Sequence, residues 1–253
     1  MSLEKEKNKL YKSLSDYKKR YLKERYSELD ESATRLMVNS FLIDVLGYVE
    51  LEEIRTEYRI KGEYADYVIQ LAKKKHFIVE VKAIQIDLTE NHLRQALNYA
   101  ANEGVDWVLL TNGRQIQLHK VIFAKPIDNK RVFNFNLTDP KELRKSVEFL
   151  VYLTKKAVIK NELDKFWKRF SALEYNNLSK NLYSIEVVRF LKRTLKKNTG
   201  LLFNDDDILD SINKIITTKI ESIKPKVPLN IIKKKRIKKE ITIKFLENDN
   251  QNN

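Results

Sequence analysis

The chain has 253 residues, of which 42% are hydrophobic, so it is long and apolar enough to bury a sizeable core. It carries 49 Lys and Arg against 35 Asp and Glu, a formal net charge of +14, and this excess favours a polyanionic partner. Cysteine is absent, which excludes disulfides, thiol catalysis and cysteine-ligated metals. No apolar run approaches the ~18 residues of a membrane span, and the start has no apolar leader. We therefore expect a cytoplasmic protein with no membrane partner.

The first 125 residues predict a mixed α/β unit. Helical spacing of apolar residues predicts helices over 3–28 and 32–46, the second ending at Gly47. Alternating β-rich runs predict strands, and a further helix precedes Gly104. The predicted strands are 54–60, 64–71, 77–83, 107–111 and 115–121, the last two joined at Asn112-Gly113. The five glycines of the chain form neither a dinucleotide-binding motif nor a P-loop, which excludes an ATP-driven motor in this sequence.

From about Pro140 the pattern becomes helical. Apolar periodicity predicts helices over 143–158, 163–173, 185–195 and 208–223, as a compact helical unit or as an extension packed on the first unit. A basic segment follows. We divide the chain into an N-terminal helix (1–30), a core domain (31–138), a helical domain (139–223) and a basic tail (224–253).

The most specific chemical pattern lies on the second and third predicted strands. Glu80 and Lys82 point to the same face because strand side chains alternate, and they interrupt an otherwise apolar run. Asp66 is a lone acid in the preceding strand. If the residue numbers of paired positions sum to 146 or 148, Asp66 lies opposite Glu80 or Lys82. Burying these charges is costly unless they pair with one another or bind a metal.

Two carboxylates and an ammonium group suit a hard divalent cation, Mg²⁺ or Mn²⁺, with the carbonyl of Val81 as a further ligand. Such a cation lowers the pKa of bound water and polarises a phosphate, while Lys82 orients that water or stabilises the developing charge. This is the chemistry of phosphodiester hydrolysis. A structural ion pair across the hairpin explains the same residues and remains an alternative.

Asp66 followed by Glu80-Val81-Lys82 resembles the PD-(D/E)xK nuclease superfamily. The surrounding sequence is similar to one member, the N-terminal nuclease domain of type I restriction enzyme R subunits. The resemblance spans about residues 30–122 in the family's order, with matching stretches at 41–48, 57–60, 65–67, 79–83, 92–100 and 108–113. It implies a restriction-endonuclease-like α/β core of helix, three strands, helix and strand. The apolar periodicity after about residue 140 adds an all-helical C-terminal extension to this core.

Carried over to this chain, the resemblance makes Asp66 and Glu80 metal ligands and Lys82 the catalytic lysine. Gln95 and Tyr99 match the family's QxxxY motif, and their spacing of four places them on one helical face. Glu31 corresponds to an acid on the first core helix and is a further metal ligand. Ala65 replaces the proline of the motif, and that proline is not a ligand.

Three functions remain open at this point. The first is a Mg²⁺-dependent DNA endonuclease of restriction–modification type, standalone or part of a larger chain, with DNA and other restriction–modification subunits as partners. The second is a non-catalytic DNA-binding or assembly protein on the same fold. The third is a structure-selective nuclease of the junction-resolvase kind, which favours a homodimer.

The densest basic cluster lies in the predicted tail. Sequence-independent contact with a nucleic-acid backbone needs such cations. The predicted DNA-binding residues are Lys233, Lys234, Lys235, Arg236, Lys238 and Lys239. A solvated lysine-rich end, or a strand completing the helical unit, explains them equally well.

Overall fold

The computed structural model describes residues 3–60 and 63–217. These residues fall into two compact units, one ending at Ala172 and the other beginning at Leu173. The DNA-binding cluster predicted at 233–239 lies outside the described residues.

The first unit is a mixed α/β structure, as predicted from the sequence. Its helices are α1 (Leu3–Tyr21), α2 (Glu31–Ser40), α3 (Glu90–Glu103), α4 (Pro140–Leu150), α5 (Lys155–Ile159) and α6 (Glu162–Ala172). Its strands are β1 (Ile54–Ile60), β2 (Glu63–Leu71), β3 (Lys74–Val81), β4 (Trp107–Thr111), β5 (Gln115–Ile122) and β6 (Asp128–Asn136). A π-helical turn over Phe41–Val45 extends α2, and a 3₁₀ turn over Val151–Leu153 extends α4.

Within the described residues the strands form one six-stranded sheet in chain order, β1 to β6. All neighbouring strands are antiparallel except β3 and β4, which are parallel. Parallel strands need a crossover connection, and α3 provides it between β3 and β4. Thr89 caps the start of α3, and Gly104 ends it with a left-handed φ of 63°.

Both faces of the sheet are covered. On one face, α3 packs Leu93, Ala96 and Ala100 against Ile78 and Val108 of the central strands. On the other face, which Phe133 shares with its pairing partner Leu118, the ring of Phe149 from α4 lies 5.7 Å from that of Phe133 and 5.3 Å from that of Phe135, both on β6. The helices α4 to α6 therefore extend the sheet unit. The sequence left open whether this region packs on the first unit or stands apart.

The hairpin between β2 and β3 contains a β-bulge. Ala72 and Lys73 both have positive φ, which is typical of a two-residue hairpin turn. Gln70 pairs with Lys75, but Ile69 pairs with Phe77, so His76 is one extra residue in β3. Beyond this bulge the paired residue numbers sum to 146, as in Tyr67 with Val79, which confirms one of the two predicted registers.

The structure differs from the predicted elements at several points. The third strand begins at Lys74 rather than residue 77, because the turn takes only two residues. Strand β6 and the helix over 175–182 were not predicted. The 3–28 helix ends at Tyr21 and is followed by a separate 3₁₀ turn over Glu24–Tyr26.

The second unit is helical as far as it is described, with α7 (Tyr175–Leu182), α8 (Ile185–Thr199) and α9 (Asp205–Thr217). Val188 of α8 packs with Ile208 and Ile212 of α9. No helix among the described residues combines the length and apolarity needed to cross a bilayer.

A buried histidine makes the stability of the sheet unit depend on pH. The ring of His119 on β5 lies 2.9 Å from Asn129 Oδ1 and 3.2 Å from Gln117 Oε1. Burial lowers its pKa below the ordinary value, although Asn129 and Glu90 oppose the shift. The native state therefore binds fewer protons than the unfolded state just below the unfolded pKa of ~6.5.

We expect His119 to lower the free energy of unfolding as pH drops below ~6.5, by at most about 1.4 kcal/mol per pH unit, while Glu80, whose pKa burial raises to about 7, acts in the opposite direction. His119→Gln should remove the first contribution, so its free energy of unfolding should fall less, or rise more, from pH 8 to 5 than that of the wild type, measured by urea unfolding. His76, whose pKa burial also lowers, contributes to the remainder. An unchanged slope in His119→Gln would show that His119 is protonated equally in both states.

Candidate functional site

A cavity of about 400 Å³ opens where α2 and the start of α3 approach the C-terminal end of β3. The residues that line it are Glu31, Arg35, Ala65, Asp66, Glu80, Lys82 and Gln95. Five of these seven are residues that the sequence predicted as a site. The structure thus brings together side chains from α2, β2, β3 and α3, together with Lys82 just after β3.

Asp66 and Glu80 face each other across neighbouring strands. The register sum of 146 aligns Asp66 with Glu80, and directly opposed residues share a sheet face. Ile78 lies two residues before Glu80, and Val68 lies two residues after Asp66. Both belong to the apolar cluster under α3. The two acids therefore continue that face to the edge of the apolar core, where the cavity begins.

Glu80 is a buried acid whose two oxygens have different surroundings. The residue is 2% exposed, and burial raises the pKa of its carboxyl to about 7, against the opposing effect of Lys82. Its Oε1 accepts a 2.7 Å hydrogen bond from Lys82 Nζ. Its Oε2 is buried and has no hydrogen-bond partner among the described residues. Such atoms are rare in folded proteins, and they often mark a position that an ion or a water fills.

Lys82 is held between two acids. Its Nζ lies 2.7 Å from Glu80 Oε1 and 3.6 Å from Glu31 Oε2. Burial lowers the pKa of Lys82, but the hydrogen bond with Glu80 and the charges of Glu80, Glu31 and Asp66 outweigh it, so the pKa is raised overall. Lys82 therefore places a positively charged ammonium group in a fixed position beside the Glu80 carboxyl.

Both oxygens of Asp66 have donors. Oδ2 accepts a 2.7 Å hydrogen bond from the backbone amide of Val81, and Oδ1 accepts a 3.1 Å bond from Arg35. Burial raises the pKa of Asp66, while the Val81 amide, Arg35 and Lys82 oppose that rise. Arg35 was missed in the sequence, although it lies four residues after Glu31 and thus on the same helical face.

Gln95 and Tyr99 have different surroundings. Gln95 lines the cavity, and its Nε2 donates to the hydroxyl of Tyr99. The ring of Tyr99 is buried in the core under α3. Of the two residues that match the QxxxY motif, Gln95 therefore lines the cavity, whereas Tyr99 lies in the core and is joined to the cavity through its hydrogen bond with Gln95.

The carboxylate oxygens around the cavity are suitable ligands for a small hard cation. Among the described residues, no three His, Cys, Asp or Glu side chains are grouped in a metal-binding arrangement. Mg²⁺, however, is commonly held by one or two carboxylates and keeps several waters. The carboxylates of Glu80 and Asp66 meet that requirement, because they face each other and Glu80 Oε2 accepts no hydrogen bond from residues 3–60 or 63–217. Val81, predicted as a carbonyl ligand, contributes its amide to Asp66, and Glu31 lies beside Lys82.

The family comparison supports the resemblance seen in the sequence. Residues 30–128 match the family model of the type I restriction enzyme R protein N terminus (HSDR_N). The match runs from the N-cap of α2 to the first residue of β6, so it contains every residue that lines the cavity. The predicted similarity is confirmed for this segment. Comparison with curated proteins and with solved structures gives no match.

Proposed function

We propose that this chain is a metal-dependent DNA endonuclease of restriction–modification type, with a PD-(D/E)xK site built from Asp66, Glu80 and Lys82. One observation carries the proposal. The fold buries the Glu80 carboxylate beside a cavity, opposite a second buried acid, and no residue in the described part of the chain hydrogen-bonds to its Oε2. A purely structural ion pair satisfies its oxygens, because a buried unsatisfied polar atom costs stability. The family match over 30–128 supports the same function.

In this proposal Asp66 and Glu80 hold Mg²⁺ or Mn²⁺. When bound, the cation polarises the phosphate and lowers the pKa of a bound water. Lys82 is already placed by Glu80, and its ammonium group stabilises negative charge that develops on the phosphate. Gln95 contacts the substrate at the rim of the cavity. Tyr99 is a positioning residue, because its hydroxyl holds the Gln95 amide from within the core.

DNA is the proposed substrate, since the chain is strongly basic and phosphate contacts supply most non-specific affinity. Other restriction–modification subunits and a second copy of this chain remain proposed partners.

The deciding experiment is a cleavage assay with the full chain on supercoiled, linear and branched DNA. It is run with Mg²⁺, with Mn²⁺ and with a chelator. We expect nicks or breaks only with metal. Preference for branched DNA would favour the junction-resolvase alternative. Metal-independent DNA binding without cleavage of any substrate would favour the non-catalytic alternative and overturn the proposal.

A further inference from the structure

Arg35 reaches into the cavity from a fixed point on α2. It follows Glu31 by four residues, so both side chains leave the same face of the helix. The Tyr67 hydroxyl donates a 2.6 Å hydrogen bond to the backbone carbonyl of Arg35, which ties this turn of α2 to β2. The Arg35 side chain is 32% exposed, whereas that of Asp66 is 9% exposed. The backbone of Arg35 is therefore anchored, while its guanidinium borders solvent in the cavity.

The two oxygens of Asp66 differ in how easily they exchange partners. Oδ2 is bound by the Val81 amide, a donor that belongs to the backbone at the end of β3. Oδ1 is bound by the Arg35 side chain, whose torsions allow it to leave. A cation that takes Asp66 as a ligand therefore competes with the guanidinium for Oδ1. Two positive groups on one oxygen also repel each other.

We infer that Arg35 is a phosphate-binding residue whose guanidinium is held by Asp66 without metal and is released to the DNA backbone when a divalent cation binds. This inference rests on the proposed nuclease function. A guanidinium suits this role because its planar donors bind phosphate through two hydrogen bonds at once. Lys82 does not take the place of Arg35 at the DNA backbone, because Glu80 and Glu31 bind its ammonium group. Metal and DNA binding are thereby coupled through one side chain.

The first test measures metal affinity without DNA, by calorimetric titration of the full chain with Mn²⁺. Arg35→Ala removes the competing cation, so we expect Mn²⁺ to bind tighter, on the order of 10-fold, within the range usual for coupled sites. Arg20→Ala removes a similar charge from an exposed pair with Asp44, outside the cavity, and should change the affinity little. Weaker Mn²⁺ binding in Arg35→Ala would mean that Arg35 merely positions Asp66, and it would overturn the inference.

The second test measures affinity for a short DNA duplex with a chelator and with Ca²⁺, for the wild type, Arg35→Ala and Arg35→Lys. Ca²⁺ should strengthen DNA binding by the wild type, and Arg35→Ala should lose most of that gain while its metal-free affinity changes less than about 2-fold. Arg35→Lys should retain part of the gain, because it keeps the charge but loses the paired donors. An equal gain in all three proteins would overturn the inference.

The two tests separate this inference from the proposed function. If the wild type cleaves DNA with metal but Arg35→Ala behaves like Arg20→Ala, only the role of Arg35 is wrong. If the wild type binds no Mn²⁺, the proposed function and the role of Arg35 both fail.

Discussion

Glu80→Gln is expected to abolish metal-dependent DNA cleavage, with a loss on the order of 10³-fold. The amide keeps the shape of the side chain but removes the negative charge that the proposed site offers to a hard cation, and such a cation stabilises a transition state by several kcal/mol. It also removes the ion-pair partner that places Lys82. The measurement is the rate of nicking of supercoiled DNA with Mg²⁺ or Mn²⁺ under single-turnover conditions.

The fold should survive this change. Glu80 is buried, so neutralising it removes a cost of desolvation, but it also takes one of two neighbouring acids from the Lys82 ammonium group, which keeps its contact with Glu31. We expect these two effects to offset each other, so that the stability lies near that of the wild type. Loss of function without loss of stability is the behaviour of a functional residue rather than a structural one.

Glu103→Gln is the matched control for Glu80→Gln. It makes the same substitution at a carboxylate that is also paired with a lysine, Lys75, but lies at the far end of α3 outside the cavity. This variant should keep the wild-type cleavage rate. Cleavage by Glu80→Gln at a rate near the wild type would contradict the site, whatever the behaviour of Glu103→Gln.

Phe149→Ala is expected to destabilise the sheet unit by about 3–5 kcal/mol, the usual cost of deleting a buried aromatic ring. Phe149 contacts the rings of Phe133 and Phe135 on β6, and its ring lies 6.0 Å from that of Phe166 on α6. Removing it opens a cavity between the sheet and the helices that follow it. The measurement is urea unfolding followed by tryptophan fluorescence.

Tryptophan fluorescence reports on the first unit alone. The chain has two tryptophans, Trp107 on β4 and Trp167 on α6, and their rings pack edge to face at 5.9 Å. Phe190→Ala is the control, because Phe190 is 59% exposed on α8 in the second unit. It should leave this signal unchanged. A shift of less than ~1 kcal/mol in Phe149→Ala would mean that α4 is not part of the core that supports the sheet.

The sequence predicted the central acids and lysine because alternation along a strand is a strong constraint. Glu80 and Lys82 had to share a face, and their charge in an apolar run marked that face as unusual. The helices and strands up to residue 122 follow from apolar periodicity and from glycines at their ends, such as Gly104. These signals are local, so they predict helices and strands without knowledge of the tertiary packing.

Other features depend on tertiary packing and could not be predicted from the sequence. Strand β6 begins with Asp128-Asn129-Lys130-Arg131, which has no apolar alternation and gains its partner only from β5. Helix α7 is rich in asparagine, a poor helix former. The role of Arg35 required knowing that α2 lies against the end of β3, although its spacing from Glu31 was visible.

The bulge at His76 in β3 also determines which deletions in this hairpin preserve the pairing of Asp66 with Glu80. If the unchanged sequence formed this hairpin without a bulge, every pair would have residue numbers that sum to 145, as Gln70 and Lys75 do. Asp66 would then lie opposite Val79, and Glu80 would point to the other face of the sheet. Deleting His76 removes the bulge itself and leaves Ile69 opposite Phe77, so the paired acids should be retained. Deleting Ile78 instead moves Asp66 one place past Glu80 and should end cleavage. Comparing cleavage by the two deletion variants, each checked for folding by tryptophan fluorescence, tests this directly. Inactivity of a folded His76 deletion would contradict it. Removing one residue at the turn end of the hairpin therefore leaves the pairing of Asp66 with Glu80 at the other end unchanged.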